Sequence, residues 1–140
     1  MRADIMQTNF RRLAGALLLS LAANGAGAAW ERAGATDDGV TIYSDPATLQ
    51  VTGDTVKMWG LLDHKTAEKD AGGKAYLSVK LLQEFDCKGA QGRTRYYSFH
   101  AGPMGTGQLV ASELRVDSQW QPANRARPGE MLWKAACAKK

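Results

Sequence analysis

The residues with the greatest capacity for chemistry are two histidines and two cysteines. Asp63 and His64 are adjacent, but neighbouring residues on a strand point to opposite faces, so they do not make a catalytic pair. His64 is interpreted as a solvated loop residue and His100 as a surface strand residue. The sequence has no G-x-S-x-G nucleophile elbow and no three or four ligands at a spacing suited to zinc. It therefore predicts a non-enzyme with no metal and no cofactor.

The segment at 102–107 is rich in glycine and reads GPMGTG. A dinucleotide-binding loop follows a strand and opens a helix. Both flanks of this segment have strand patterns instead. The segment is therefore predicted to be a hairpin loop rather than a phosphate-binding loop.

Cys87 and Cys137 are the two cysteines of the chain, and they allow a single pairing. In an exported protein such a pair is expected to be oxidised. The chain-entropy model gives the resulting bridge a contribution of about 4 kcal/mol to stability. The alternative is a reactive or metal-binding thiol, although neither cysteine has a C-x-x-C neighbour. A structural disulfide is the favoured interpretation.

Basic and tyrosine side chains cluster on two neighbouring predicted strands. Strict alternation places Arg93, Arg95 and Tyr97 on one side of their strand, with the two arginines about 7 Å apart. The arginines would then bind an acidic partner surface together, or pair with Glu84 or Asp86 across the ladder. Interfaces favour Arg and Tyr because these residues combine large area with a polar end. The alternative is a solvated sheet face whose Lys and Arg stems cover apolar surface. The candidate binding face comprises Lys80, Lys88, Arg93, Arg95, Tyr96 and Tyr97.

The N-terminus has the pattern of a secretory signal peptide. Three arginines flank or precede an apolar run at 13–23, and small residues place Ala26 and Ala28 at the A-x-A positions. Cleavage after Ala28 would remove residues 1–28 and leave 29–140 as a single domain. The run is too short for a spanning helix, which needs about 20 residues. The expected location is periplasmic or secreted, without a lipid anchor, because no cysteine lies near the cleavage point.

The sequence leaves the export route open, and its net charge bears on the class of partner. The pair Arg11-Arg12 leaves the twin-arginine route as an alternative to the general secretory route. The net charge is +4, and three of the basic residues precede the predicted cleavage point. A dedicated nucleic-acid binder would be much more basic. The charge therefore argues against a nucleic-acid partner, and the short apolar run argues against a membrane span.

The elements that must position these side chains are mostly strands. Turns are predicted at Ser44-Asp45-Pro46 and at Thr52-Gly53-Asp54, and 63–74 reads as a polar connection. Residues 29–39 read as a polar opening. Alternation of apolar and polar residues places Cys87 on the apolar face of the longest strand. Strands are predicted at 40–43, 55–62, 75–87, 93–101 and 108–116, with a short edge segment at 120–122.

One helix of about three turns is predicted at the C-terminus. Pro128 suits a first helical turn, Glu130 lies in that turn, and lysines follow near the end. Trp133 and Cys137 are four residues apart and share a helix face. The simplest architecture is an α+β fold, an antiparallel sheet with this helix across its apolar face. Cys137 would then be bonded to the cysteine of the sheet.

The chain resembles the surface-adhesin protein E family of small exported bacterial domains. The most specific part is the S-x-K-x-x-x-E-F-D-C run joined to a C-terminal helical cysteine. The resemblance covers nearly all of 29–140. The matching stretches are Trp30, VTIYSDPATL at 40–49, VKMWGLLDHK at 56–65, YLSVKLLQEFDC at 76–87, RTRYYSF at 93–99, MGTGQLV at 104–110, Trp120 and PGEMLWKAAC at 128–137.

The resemblance implies an antiparallel sheet of about six strands, mostly a meander, with one C-terminal helix packed on its concave face. It also implies that Cys87–Cys137 ties the helix to that face. For function it implies a protein-binding module whose partners are host matrix or serum proteins, and which pairs as a homodimer. The alternative is a periplasmic inhibitor or envelope-homeostasis protein that binds an enzyme such as lysozyme.

Overall fold

The fold is a meander of antiparallel strands closed on one side by a single helix. The computed structural model describes residues 29–140, so the predicted signal peptide lies outside the described residues. Strands β1 to β6 follow one another in the sheet in chain order, and the short β7 pairs with the start of β5. The elements are β1 (Glu31–Ala35), β2 (Val40–Thr52), β3 (Thr55–Lys69), β4 (Ala75–Asp86), β5 (Gln91–His100), β6 (Leu109–Leu114), β7 (Gln121–Pro122) and α1 (Arg127–Ala138). This confirms the predicted α+β architecture.

The core lies between α1 and the apolar face of the sheet, here called the helix face. Val56, Met58 and Phe85 are each 1% exposed and pack with Leu132 and Ala136 of the helix. The apolar side of the longest predicted strand, which carries Cys87, is therefore the side that faces the core. The opposite side of the sheet, here called the open face, carries no helix within residues 29–140. No helix in that range is long and apolar enough to cross a bilayer.

A glycine on β3 lets the helix approach the sheet closely. A Cβ added to Gly60 would lie 2.8 Å from Cδ1 and 2.9 Å from Cδ2 of Leu132. The helix begins with a proline in its first two positions and carries Glu130 in its first turn, as predicted. Its last turn is covalently attached to the end of β4, because Cys87 and Cys137 form a disulfide with a Cα–Cα distance of 5.6 Å. The predicted disulfide is confirmed.

The strand β2 is longer than predicted and runs through the expected turn at Ser44-Asp45-Pro46. Proline has no N–H to donate to a neighbouring strand. It is tolerated at position 46 because the register of β2 against β3 shifts between Asp45 and Gln50, where the regular ladder is interrupted. Thr48 substitutes for part of the ladder. Its hydroxyl donates to the Asp45 carbonyl at 2.6 Å and accepts the Trp59 backbone N–H at 3.0 Å.

Two more predicted connections are strands. The polar opening contains β1, which pairs with β2 through a register shift. Residues expected to form a polar connection from 63 continue β3 to Lys69, which pairs with Ala75. Most of this extension is exposed. Its residues therefore do not alternate between apolar and polar, and the sequence gives no strand pattern there. His64 consequently lies on β3 opposite Val40, half-buried, and its prediction as a loop residue is wrong.

The predicted hairpin loop between β5 and β6 is confirmed. It contains a short 3₁₀ turn at Pro103–Gly105, with Met104 at a φ of 55°. The loop folds back over one end of the open face. The Ser78 hydroxyl donates to the Gly102 carbonyl at 2.6 Å, and the Met104 N–H donates to Asp63 at 2.7 Å.

Candidate binding face

A single row of large side chains crosses the open face from β3 to β6. Trp59 pairs with Leu82, Leu82 with Tyr96, and Tyr96 with Leu114. The Trp59 and Tyr96 rings meet edge to face, with centroids 5.8 Å apart. Leu114 is 68% exposed at the edge strand, and the other three side chains are half-buried. These four residues, here called the central row, form a continuous apolar strip across the open face.

Charged side chains lie on both sides of the central row. On one side, Glu84 pairs with Lys57 on β3 and with Arg93 on β5. On the other side, Lys80 pairs with the fully buried Leu61 and with Ser98. The arrangement is an apolar centre with a charged margin, which is the anatomy of protein interfaces.

Glu84 holds two arginines on the open face. Its Oε2 lies 3.2 Å from Nε of Arg93 and 3.5 Å from Nε of Arg95, and the residue is 8% exposed. The sequence left open whether the arginines face a partner or pair across the ladder, and the structure places both on this carboxylate. Two positive charges around one negative charge leave the group with a net positive charge.

The same arginines anchor the chain that follows β6. The Arg93 guanidinium lies 4.3 Å from the centroid of the Trp120 ring and donates to the Ser118 carbonyl at 3.4 Å. Arg95 donates to the Val116 carbonyl at 3.1 Å. Their side chains are 23% and 24% exposed, respectively. They therefore fix segment 115–120 beside the central row while presenting limited surface of their own.

A bulge in β5 changes which residues share a face. Gln83 pairs with Thr94, but the adjacent Leu82 pairs with Tyr96, so Arg95 has no partner on β4. The extra residue brings Arg93, Arg95 and Tyr96 to the open face. Strict alternation had placed Tyr97 beside the arginines and Tyr96 opposite them, and this assignment is wrong because it allowed for no bulge.

The remaining members of the predicted face lie apart. Tyr97 is on the helix face, where its hydroxyl donates to Glu113. Its ring packs against Phe99, with the two ring centroids 5.2 Å apart. The hydrogen bond to Glu113, with a smaller contribution from burial, raises the pKa of Tyr97. Lys88 is exposed in the β4–β5 turn, beyond the central row. Lys80 lies on the open face under the β5–β6 loop, against Gly105.

Sequence reasoning missed three of the central-row residues and the Trp120 contact. Alternation along each strand puts Trp59 on the side opposite Met58 and Leu82 on the side opposite Leu81. Which of these residues lie opposite one another depends on the register between neighbouring strands. The predicted turns did not fix that register. Leu114 was assigned to a strand without a partner. An apolar residue repeated on the outward side of every central strand was the available signal.

One pair of side chains has the spacing of a nucleophile and a base. The Ser98 hydroxyl lies 2.9 Å from Nε2 of His100, but Ser98 is 4% exposed and its oxygen is shielded from substrate. Burial, with a further contribution from Lys80, lowers the pKa of His100. Within residues 29–140 no group of three or more His, Cys, Asp or Glu is placed to hold a metal ion.

Known proteins match this chain at the level of family and fold. The family model described as surface-adhesin protein E matches residues 30–138. Crystal form II of Haemophilus influenzae protein E has a TM-score of 0.56 at 13% identity, covering 69% of this chain and 80% of that one. A second structure of that protein has a TM-score of 0.53 at 14% identity, covering 69% and 76%. Its selenomethionine form has a TM-score of 0.53 at 12% identity, covering 77% and 92%. No curated protein sequence matches the chain.

Proposed function

The chain belongs to the surface-adhesin protein E family, and we propose that it is an exported, non-catalytic module that binds a protein partner through its open face. The observation that carries the proposal is the central row. Its four strands lie about 4.8 Å apart, so the strip is about 15 Å long. The strip contains a Trp and a Tyr, residue types that dominate binding energy at interfaces.

The charges around the central row favour an acidic partner surface. Lys57, Lys80 and the Glu84-centred arginines surround the strip with net positive charge. Charges at the margin of an interface steer association and select partners more than they add affinity. The family favours a host matrix or serum protein as the partner. Export through a cleaved signal peptide at 1–28, to the periplasm or the exterior, is part of the same proposal.

Binding is tested with residues 29–140 immobilised on a sensor surface. The analytes are a basement-membrane extract, a serum protein fraction and lysozyme. The proposal expects saturable binding of a matrix or serum component that weakens as salt is raised, because marginal charges are screened. Inhibition of lysozyme, with no binding of matrix or serum components, would instead support the periplasmic-inhibitor alternative.

We also propose that the edge strand β6 pairs with a second copy of the chain. Leu109, Leu114 and Val116 are 53%, 68% and 58% exposed, and within residues 29–140 no strand pairs with the outer edge of β6. Edge strands are normally protected by charged side chains or proline, and β6 contains no proline and a single charged residue, Glu113. Sedimentation velocity of wild type should show a dimer, and Leu109→Lys should shift it to monomer. A wild-type protein that stays monomeric at every concentration tested would rule out this pairing.

A further inference from the structure

A cleft of about 770 Å³ lies on the helix face, between the start of α1, the strands β4 and β5, and segment 115–126. It is on the side of the sheet away from the central row, although segment 115–120, which Arg93 and Arg95 hold, borders both. The helix covers mainly β1 to β3, which leaves this part of the helix face uncovered. Its volume falls in the range of small-molecule sites, about 300–1,000 Å³.

The inner wall of the cleft is apolar, with one polar pair. Leu62, Leu81 and Pro128 are half-buried and supply the accessible apolar surface, whereas Phe85 and Leu132 behind them are each 1% exposed. Gln83 interrupts the apolar alternation of β4, is 9% exposed, and donates from its amide nitrogen to the Thr94 hydroxyl at 3.0 Å. An apolar wall of this kind suits the hydrocarbon body of a ligand.

The rim of the cleft carries more positive than negative charge. Arg115 and Arg125 line it, and neither forms an ion pair within residues 29–140. Arg93 also lines it but is paired with Glu84, and Asp117 is the one lining carboxylate. Arg125 donates to the side-chain oxygen of Gln121, a neutral partner, so both guanidinium groups still lack a counter-charge. An anion would supply it, since the planar fork of arginine suits a carboxylate.

The same rim contains the start of α1 and a serine hydroxyl, both without a side-chain hydrogen-bond partner. The helix starts there without a side-chain cap, because Ala126 occupies the N-cap position, and its first N–H groups carry the positive end of the helix dipole. The Ser118 hydroxyl oxygen is buried and has no hydrogen-bond partner within residues 29–140. A ligand carboxylate would accept hydrogen bonds from the helix N–H groups, whereas the buried Ser118 oxygen is not open to the cleft.

We propose that the cleft binds a small apolar carboxylic acid. Its carboxylate lies between Arg115, Arg125 and the start of α1, and its hydrocarbon body covers Leu62 and Leu81. A neutral or cationic ligand of the same shape would leave the guanidinium groups without a counter-charge. The apolar wall disfavours a ligand charged along its whole length, because that would bury unpaired charge.

The test uses decanoate below its micellar concentration, titrated into ¹⁵N-labelled residues 29–140. Saturable amide shifts are expected at Gly92, Gln119 and Gly129, which line the cleft. The double variant Arg115→Gln/Arg125→Gln should bind about tenfold more weakly, since charge-assisted hydrogen bonds are lost. Its melting temperature without ligand should be unchanged, because both arginines are exposed.

The matched control is Lys65→Gln/Lys69→Gln, which removes two charges from the exposed end of β3. It should bind decanoate as wild type does, so a loss confined to the arginine variant supports the site. Decyltrimethylammonium should not shift the cleft amides. The proposal is overturned if decanoate gives no saturable shifts, if the cation binds as well as the acid, or if both double variants bind alike.

Discussion

Glu84 is a nearly buried carboxylate that neutralises two arginines on the open face. Glu84→Ala would leave both guanidinium groups partly buried without their counter-charge. Removing one partner of a fully buried pair costs about 3–5 kcal/mol, and the partial exposure of the arginines reduces this to about 2–3 kcal/mol. Urea unfolding should show that loss in the free energy of unfolding.

The control for this substitution is Glu31→Ala. Glu31 lies 3.9 Å from Lys139 and its side chain is 60% exposed, so its removal should change stability by less than about 0.5 kcal/mol. Equal effects of the two substitutions would show that the Glu84 group is not a structural anchor.

His100 provides a pH prediction at the residue scale. Burial and Lys80 lower its pKa in the folded protein, so the unfolded chain binds a proton more readily. The neutral form therefore contributes stability above the unfolded value near 6.5, and that stability is lost as pH falls through the folded pKa. NMR titration should give His100 a pKa below 6.5, and Lys80→Gln should raise it. A pKa above 6.5 in the wild type would contradict the environment described here.

The approach of α1 to β3 depends on the absence of a side chain at Gly60. Gly60→Ala would place a Cβ within 3 Å of the two terminal carbons of Leu132, in a packed core. Overpacking of this kind costs about 1–3 kcal/mol, which thermal or urea unfolding would detect. Gly72→Ala, at the exposed β3–β4 turn with a nearest contact of 3.4 Å, is the control and should be nearly neutral. A neutral Gly60→Ala would mean that the helix can shift without loss.

Elements whose two sides differ in burial were predictable from the sequence. The middle of β3, the length of β4 and the helix α1 all alternate or repeat with the period of their structure, because one side faces the core. The end of β3 and the whole of β1 have weak patterns because most of their residues are exposed or half-buried. In β2 the proline indicates a turn, yet the Thr48 hydroxyl replaces part of the ladder and the strand continues.

The candidate face depended on register, which is a property of paired elements. Local pattern assigned Trp59 and Leu82 to the correct sides of their own strands. It gave no indication of the extra residue at Arg95, since a bulge exchanges faces without changing composition. That one residue moved Tyr96 to the open face and Tyr97 to the helix face, and so changed the membership of the predicted binding face.

The disulfide matters at the scale of the whole molecule, because it joins residues 50 apart in the chain and closes the helix onto the sheet. Cys87→Ala/Cys137→Ala should lower the free energy of unfolding by about 2–5 kcal/mol. Hydrogen exchange should show the largest loss of protection in α1, which has lost its attachment to β4. Unchanged stability of the double variant would mean that packing of Leu132 and Ala136 alone fixes the helix.

The measurement that tests the open face most directly compares two lysine substitutions at exposed apolar residues. Leu114, 68% exposed, ends the central row, whereas Val51, 51% exposed, lies at the β2–β3 hairpin away from it. Both variants should fold, since neither side chain is in the core. For the matrix or serum component that binds wild-type residues 29–140, Leu114→Lys should weaken affinity by about tenfold or more, and Val51→Lys should leave it unchanged. Wild-type affinity in Leu114→Lys, or an equal loss in both variants, would contradict binding through the central row.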